Sequence, residues 1–476
     1  MNGTPDTSCE KKPSINPQPL SPEALGSSDF LERYGVKYAY ASGGMYKGIA
    51  SVDLVIAMAK ARLMSFFGAG GLTQDIVERS IVEIKNALDH GHSFGVNLLP
   101  DYKNPQQELE RVKLLLKHQV RFIEAAAYMS ITPALVLYCL KGIHRNSAGK
   151  LVAPNTILAK ISHPKVAEIF LQPAPAVIVE KLVEQAYLTK SEAALAQYVP
   201  IAKDICVEAD SGGHTDSGNP SVIFPAIKRL AIYAQSYHRY LQPIGVGLAG
   251  GIGSPDSALA AFMLGADFIM TGSINQCTPE AGTSIAVKDL LQAMDVYDTS
   301  YAPAGDMFET GAKVQVLKRG VLFAARANKL YQIYLQYPSL DSLPKSVQDQ
   351  IKKILFNQSI ETIWVKVESY LAKTKPQHLQ RVKNNPKQKM AAVFRWYFME
   401  TTRLALEGDC HKQVDFQIHT GPALGDFNQW LKGGDYEAWQ TRHVAMIAEL
   451  LMNSCAELVS QRLEKLKQTQ KVANFA

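Results

Sequence analysis

A chain of 476 residues, 47% of them hydrophobic, can bury a large core, and its length accommodates one big domain plus a smaller addition. The net charge of +6 is small, and its 50 Lys and Arg are spread along the chain, so composition offers no argument for nucleic acid. No apolar run reaches the roughly 18 residues that a membrane helix needs. Six separated cysteines (Cys9, Cys139, Cys206, Cys277, Cys410, Cys455) make neither a C-x-x-C pair nor zinc spacing. A cytoplasmic protein with reduced thiols and no metal is expected, with Cys139 and Cys206 as small buried hydrophobes.

In chain order, Met1–Ser28 is rich in Pro, Ser, Asn and Glu without an apolar centre, so residues 1–30 read as a disordered leader rather than a signal peptide or membrane anchor. Eight β-branched or aromatic runs follow: Lys37–Ala41, Leu63–Phe67, Ser93–Leu98, Arg121–Ala126, Thr156–Ile161, Asp204–Ala209, Ile244–Leu248 and Phe268–Thr271. Segments between them carry helical apolar faces, most clearly Val52–Ala61, Ile76–Leu88, Leu109–His118 and Ser257–Leu264, with Thr73 and Asp256 as cap or first-turn residues. Strand alternating with helix eight times predicts an α/β fold of the (β/α)8 TIM-barrel type over residues 31–300. An open doubly wound sheet is the alternative, but no G-x-G-x-x-G follows a first strand and the phosphate signal comes late. Beyond Ser300, the amphipathic runs Val316–Tyr337, Ser346–Leu371 and Lys389–Glu407 predict a mainly helical C-terminal subdomain over 301–476, with hardly any strand and with room to pack back on the barrel. Lys373–Lys389 reads as an exposed linker or charged loop.

The sharpest signal is a pair of glycine-bearing strand exits, Ala249-Gly-Gly-Ile252 and Thr271-Gly-Ser273. Gly250, Gly251, Gly272 and Ser273 allow backbone amides to approach a dianion closely, as phosphate sites after the last two barrel strands do. The other exits add Ser42, Gly43 and Gly44, then Gly68, Ala69, Gly70 and Gly71, then Asn97, Glu124, Lys160, and finally Glu208, Asp210, Ser211, Gly212, Gly213 and His214. Glycines at the first two exits leave room for a broad flat ligand such as a flavin ring, or make tight turns. Asn97 offers the donor and acceptor that a flavin pyrimidine edge needs, or is a strand-end asparagine. Lys160, in an apolar strand, needs an anion: a flavin N1/O2 region that becomes negative on reduction, an ion pair with Glu124, or the water at the rim. His214, lifted by a Gly-Gly pair, is the candidate acid or hydrogen-bond donor.

Through Phe94-Gly-Val-Asn97, Glu208-Ala-Asp-Ser-Gly-Gly-His214, Ala249-Gly-Gly-Ile252 and Gly265–Ser273 the chain resembles the nitronate monooxygenase (2-nitropropane dioxygenase-like) flavin barrels. More narrowly, Ala302–Glu309, Lys313–Gly320, Arg326–Lys329, Phe394–Tyr397 and Gly421–Gly425 are similar to the trans-acting enoyl reductases of polyketide and polyunsaturated fatty acid synthases. That resemblance implies FMN, NADPH and a substrate carried by an acyl carrier protein. It implies that Gly250, Gly251, Gly272 and Ser273 hold the FMN phosphate and that Ser42, Gly43, Gly44, Asn97, Lys160 and Gly213 line the cofactor, with His214 and Lys160 catalytic. No nucleic acid, membrane or metal is implied, and a homodimer is compatible. The basic runs Lys345–Lys353 and Lys383–Lys389 could face an acidic carrier. A nitronate monooxygenase-type flavoenzyme is the alternative, and a non-catalytic scaffold a third reading.

Overall fold

The computed structural model describes residues 20–89 and 91–473. The expected barrel is present and closed: β1 (Tyr40–Ser42), β2 (Met64–Phe67), β3 (Gly95–Leu98), β4 (Phe122–Ala125), β5 (Thr156–Ile161), β6 (Asp204–Glu208), β7 (Gly245–Ala249) and β8 (Ile269–Thr271) pair in parallel in that order. Closure comes from β8 lying beside β1, with Tyr40 opposite Ile269, Ala41 opposite Met270 and Ser42 opposite Thr271. Helices such as Val52–Lys60, Gln74–Ala87, Pro105–Lys117 and Pro255–Met263 cover the outside with their apolar faces. Ser51 and Ser254 cap two of them through side-chain bonds.

Alternate residues of the strands point inward and change character with height. At the floor, the Phe122 ring meets Tyr34 and the Phe268 ring stacks on Phe30 at 4.5 Å. One layer up, the sulfur atoms of Cys206 and Met270 lie 3.8 Å apart. At the top stand Glu124, Lys160 and Glu208. The barrel is therefore apolar below and charged at the C-terminal ends of its strands.

Three expectations need correction. The leader does not run to residue 30: Pro22–Ala24 is a single 3-10 turn, and Ser28–Tyr34 is a helix that buries Phe30 and Tyr34 as the barrel's floor. The expectation for residues 1–19 lies outside the described residues. The region beyond 300 does contain strand: Thr299–Pro303, Lys313–Leu317 and Gly213–His214 form an antiparallel sheet, and the helix begins only at Phe323. Val314 and Val316 alternate with Lys313 and Gln315 between Gly311 and Gly320, both at φ +72°, which is strand patterning that the following helical run obscured. Lys373–Lys389 is not a linker, because Pro376–Lys383 is helical and buries Leu379 and Val382, and Pro386 opens the next helix.

The C-terminal half divides by core. Residues from Ala302 to Phe398 build a second hydrophobic core around Phe308, Phe323, Phe394 and Tyr397, whereas Leu404 to Val459 join the barrel's own core. The long helix Val444–Ala473 lies against Val52–Lys60 and Pro255–Met263. No helix among the described residues is long and apolar enough to cross a membrane.

Candidate active site

Glu124 is the hub of the barrel mouth. It is fully buried, and its Oε2 accepts from Gly44 N and from Asn97 Nδ2, each at 2.9 Å. Its Oε1 makes no hydrogen bond and faces Lys160 Nζ at 4.0 Å. Lys160 also pairs with Glu208 at 2.9 Å. Burial opposes the ammonium charge, but Glu208 and Glu124 outweigh it and hold Lys160 well above the ordinary lysine value. Burial raises the Glu124 carboxyl, against the opposing pull of Lys160, Asn97 and Gly44. Gly44 is required for this packing, since a Cβ there would lie 2.5 Å from Glu124 Oε2 and 2.7 Å from Asn97 Cβ.

The glycine-bearing exits of β7 and β8 lie beside the exit of β6. The N–H groups of Gly250, Gly251 and Gly272 enter no hydrogen bond among the described residues. A Cβ at Gly251 or Gly272 would meet nothing within 4 Å, so both face open space. Gly250, at φ +92°, lies against the carbonyls of Ala209 and Asp210 and brings the β6 and β7 exits together. Ser273 Oγ accepts from Gly421 N at 3.1 Å and keeps its own proton to donate. Two further polar atoms are buried here without partners, Ser211 Oγ and Gln315 Oε1. Gly421 opens the helix Pro422–Leu431, and Gly212 and Gly253 let Thr420 and Ala423 pack closely against the two loops. Free amides, the Ser211 and Ser273 hydroxyls and a helix start can donate to an anionic group, whereas Gln315 Oε1 is an acceptor and calls for a donor instead. The donors at Gly251, Gly272 and Ser273 therefore fit the phosphate of a flavin mononucleotide.

Not every expected residue is available to a ligand. Ser42 is fully buried, and its Oγ accepts from Asn275 Nδ2 at 2.8 Å in a seam network with Thr271 and Tyr40. Its side chain thus takes part in closing the barrel and keeps its own proton to donate. Asn97 gives its amide to Glu124 and retains only Oδ1. Gly68 and Gly70 serve the first loop, accepting from Gly48 N and Lys47 N, rather than a ligand. Asp210 is bonded to Thr215, Tyr301 and Gln315 and shapes the β6 exit.

His214 is set by Gly213, at φ +88°, and by its pairing with Val314. Its Nε2 bonds Oδ1 of Asp306 at 2.9 Å, a residue of the Ala302–Glu309 motif to which the sequence alone gives no role. Burial lowers the basicity of His214, while Asp306 and Glu208 overcome this and raise it. Asp306 is correspondingly lowered by His214 against the effect of burial. His419, near Gly213 and stacked on Tyr46, is pushed down to about 4 by burial and stays neutral. Asp306, Gln315, Asn275 and His419 come from far along the chain, and only the fold shows that they meet here. Among the described residues no group of three or more His, Cys, Asp or Glu could hold a metal ion.

A closed (β/α)8 barrel with unengaged glycine amides after its last two strands, and a second helical core appended, is the class that fold and site define. Comparison with known proteins narrows it. The crystal structure of the enoyl reductase domain of MlnA, from the macrolactin biosynthesis cluster of Bacillus amyloliquefaciens, is 41% identical with a TM-score of 0.90, covering 93% of this chain and 99% of that one. The polyketide biosynthesis protein PksE of Bacillus subtilis (strain 168) is 48% identical over 449 residues, which is 94% of this chain and 58% of PksE. A polyunsaturated fatty acid synthase component of Thraustochytrium sp. (strain ATCC 26185 / S-3) is 39% identical over 420 residues, 87% of this chain and 28% of that protein. The chain thus spans little more than half of one curated relative and under a third of the other. A family model described as [acyl-carrier-protein] S-malonyltransferase, inserted helical domain, matches residues 337–416. The chain belongs to the family of the MlnA enoyl reductase domain, as its motifs led one to expect.

Proposed function

We propose that the chain is an FMN-dependent enoyl-[acyl-carrier-protein] reductase that uses NADPH and acts in trans on carrier-bound enoyl thioesters of polyketide biosynthesis. The observation that carries this reading is the set of unengaged N–H groups at Gly250, Gly251 and Gly272 opening beside Lys160 and His214 on one barrel mouth. FMN, when bound, supplies two-electron hydride transfer from a reduced nicotinamide to the β-carbon of an enoyl thioester. Lys160, kept charged by two carboxylates, offsets negative charge gathering over the strand exits. His214 holds a proton where a thioester oxygen or its α-carbon would come to need one. The polyketide context is supported by 48% identity to PksE against 39% to the fatty acid synthase component.

Likeness of residues 337–416 to a domain inserted in an acyl-carrier-protein transferase supports a carrier protein as partner. The geometry narrows the docking surface. Lys387 donates to Tyr337 O at 2.6 Å, Lys389 lies over the Trp364 ring at 4.8 Å and Lys383 is paired with Glu368, so that run is occupied within the helical unit. Lys352 and Lys353, exposed at the end of the helix Lys345–Ile354, carry no ion pair among the described residues. Anaerobic mixing tests the activity: NADPH should bleach the flavin absorbance and crotonyl-carrier protein should restore it. Indifference to NADPH, with turnover only on oxygen and a nitronate, would replace this reading with a nitronate monooxygenase.

A further inference from the structure

The barrel supplies His214 but not its partner. The strand Gly213–His214 is the edge of the sheet whose other members, Lys313–Leu317 and Thr299–Pro303, lead into the second core. The loop joining those two strands is closed at its base by Ala304 N donating to Ala312 O at 2.7 Å. It is rooted by Phe308, fully buried among Tyr331, Tyr334, Phe394 and Phe398. Gly305 presses on the helix Pro386–Glu407, where a side chain would strike Phe398 Cβ at 2.6 Å. Between these two anchors stands Asp306, its Oδ1 at 2.9 Å from His214 Nε2.

We infer that Asp306 is the positioning residue for His214, so that the appended unit completes the barrel's active site through the Ala304–Thr310 loop. The inference rests on the reductase reading for its chemistry and on geometry for the pair itself. Nε2 is taken by Asp306, and Nδ1 has no partner among the described residues, so the ring is oriented with one nitrogen free. The side chains are 52% and 64% exposed, which makes the ion pair a weak stabiliser of the fold. Its value lies in orientation and charge. The groups facing His214 are Asp306 and Glu208, which favour the imidazolium, and Lys160, which opposes it. His419 is also near but neutral, and Arg395 faces Asp306. With its basicity raised, the charged ring persists to higher pH than an ordinary histidine, and the charge is lost as pH climbs through that raised value. In turnover one proton leaves Nδ1 for the substrate and one returns from water, with no change in the oxidation state of either side chain.

The test is an NMR titration of histidine ring carbons in the purified full chain, with His214→Gln used to assign the signal, beside a pH profile of kcat. Asp306→Asn should lower the His214 midpoint by about one pH unit and move the alkaline limb of kcat down by as much. Its KM for a crotonyl thioester should change by less than about twofold. Asp306→Glu should recover most of the midpoint, and it keeps the test available if the asparagine variant fails to fold. An unmoved midpoint, or a moved midpoint with an unmoved alkaline limb, overturns the inference. A midpoint that falls in a protein with no enoyl reduction leaves the pair standing and removes the reductase reading instead.

Discussion

The floor and the mouth of the barrel both bury carboxylates beside cations, and they differ in what is left over. At the floor, Asp204 accepts from Arg33 with one oxygen and from Tyr34 at 2.9 Å with the other, while Arg33 also donates to Pro243 O at 2.6 Å. Both carboxylate oxygens are bonded, and the Phe30 and Phe268 rings stack at the same end of the barrel. At the mouth, Glu124 Oε1, Ser211 Oγ and Gln315 Oε1 are buried without hydrogen bonds, and the amides of Gly250, Gly251 and Gly272 enter none among the described residues. Buried polar groups are ordinarily satisfied, so an excess of unsatisfied ones in one place points to a missing ligand rather than to a structural role. A saturated charge network supports the fold, and an unsaturated one waits for something to bind.

Substitutions can break that contrast from either side. Gly272→Val, whose side chain enters the open space beside Gly272, should weaken FMN binding on the order of 100-fold while the protein still folds, read by flavin content and calorimetry. Asp204→Ala should do the reverse, costing about 3–5 kcal/mol in urea unfolding because Arg33 is left buried without its carboxylate, while each folded molecule still binds its flavin. If Asp204→Ala also emptied the folded protein of flavin, floor and mouth would not be separable. Reversing charge at Lys352 and Lys353 should raise KM severalfold for a carrier-bound substrate and leave a short thioester surrogate unchanged. The smallest effect is expected at Glu192, whose carboxylate closes a capping box on Thr189 and accepts from Gly142 N at 2.7 Å. Burial disfavours its charge, but these bonds outweigh that and lower its pKa. Its contribution, about 1 kcal/mol, should be full above the ordinary glutamate value and vanish as pH falls through the lowered one, with no effect on flavin.

Much of this was legible in the sequence because local rules and the final fold agree there. All eight barrel strands arise where β-branched runs precede glycine or polar exits, and Gly250, Gly251 and Gly272 mark the unengaged amides through the one property that only glycine has. What was hidden depends on contacts across long separations. Nothing local says that Ser42 accepts from Asn275, 233 positions away, in the barrel seam. Asn97 looks free until Glu124 claims its amide. Asp306 lies 92 positions from His214, and nothing local says that an antiparallel sheet will bring the two together. The strands Thr299–Pro303 and Lys313–Leu317 were masked because two valines in alternation merge easily with the helical run that follows.

The most direct test of the proposed phosphate site compares FMN with riboflavin, which presents the same ring without the phosphate, by equilibrium titration of the flavin-stripped full chain. Bare amides at Gly251 and Gly272 predict that FMN binds on the order of 100-fold more tightly than riboflavin, and that Gly272→Val erases the difference. Equal affinity for the two flavins in the unaltered protein would contradict the account.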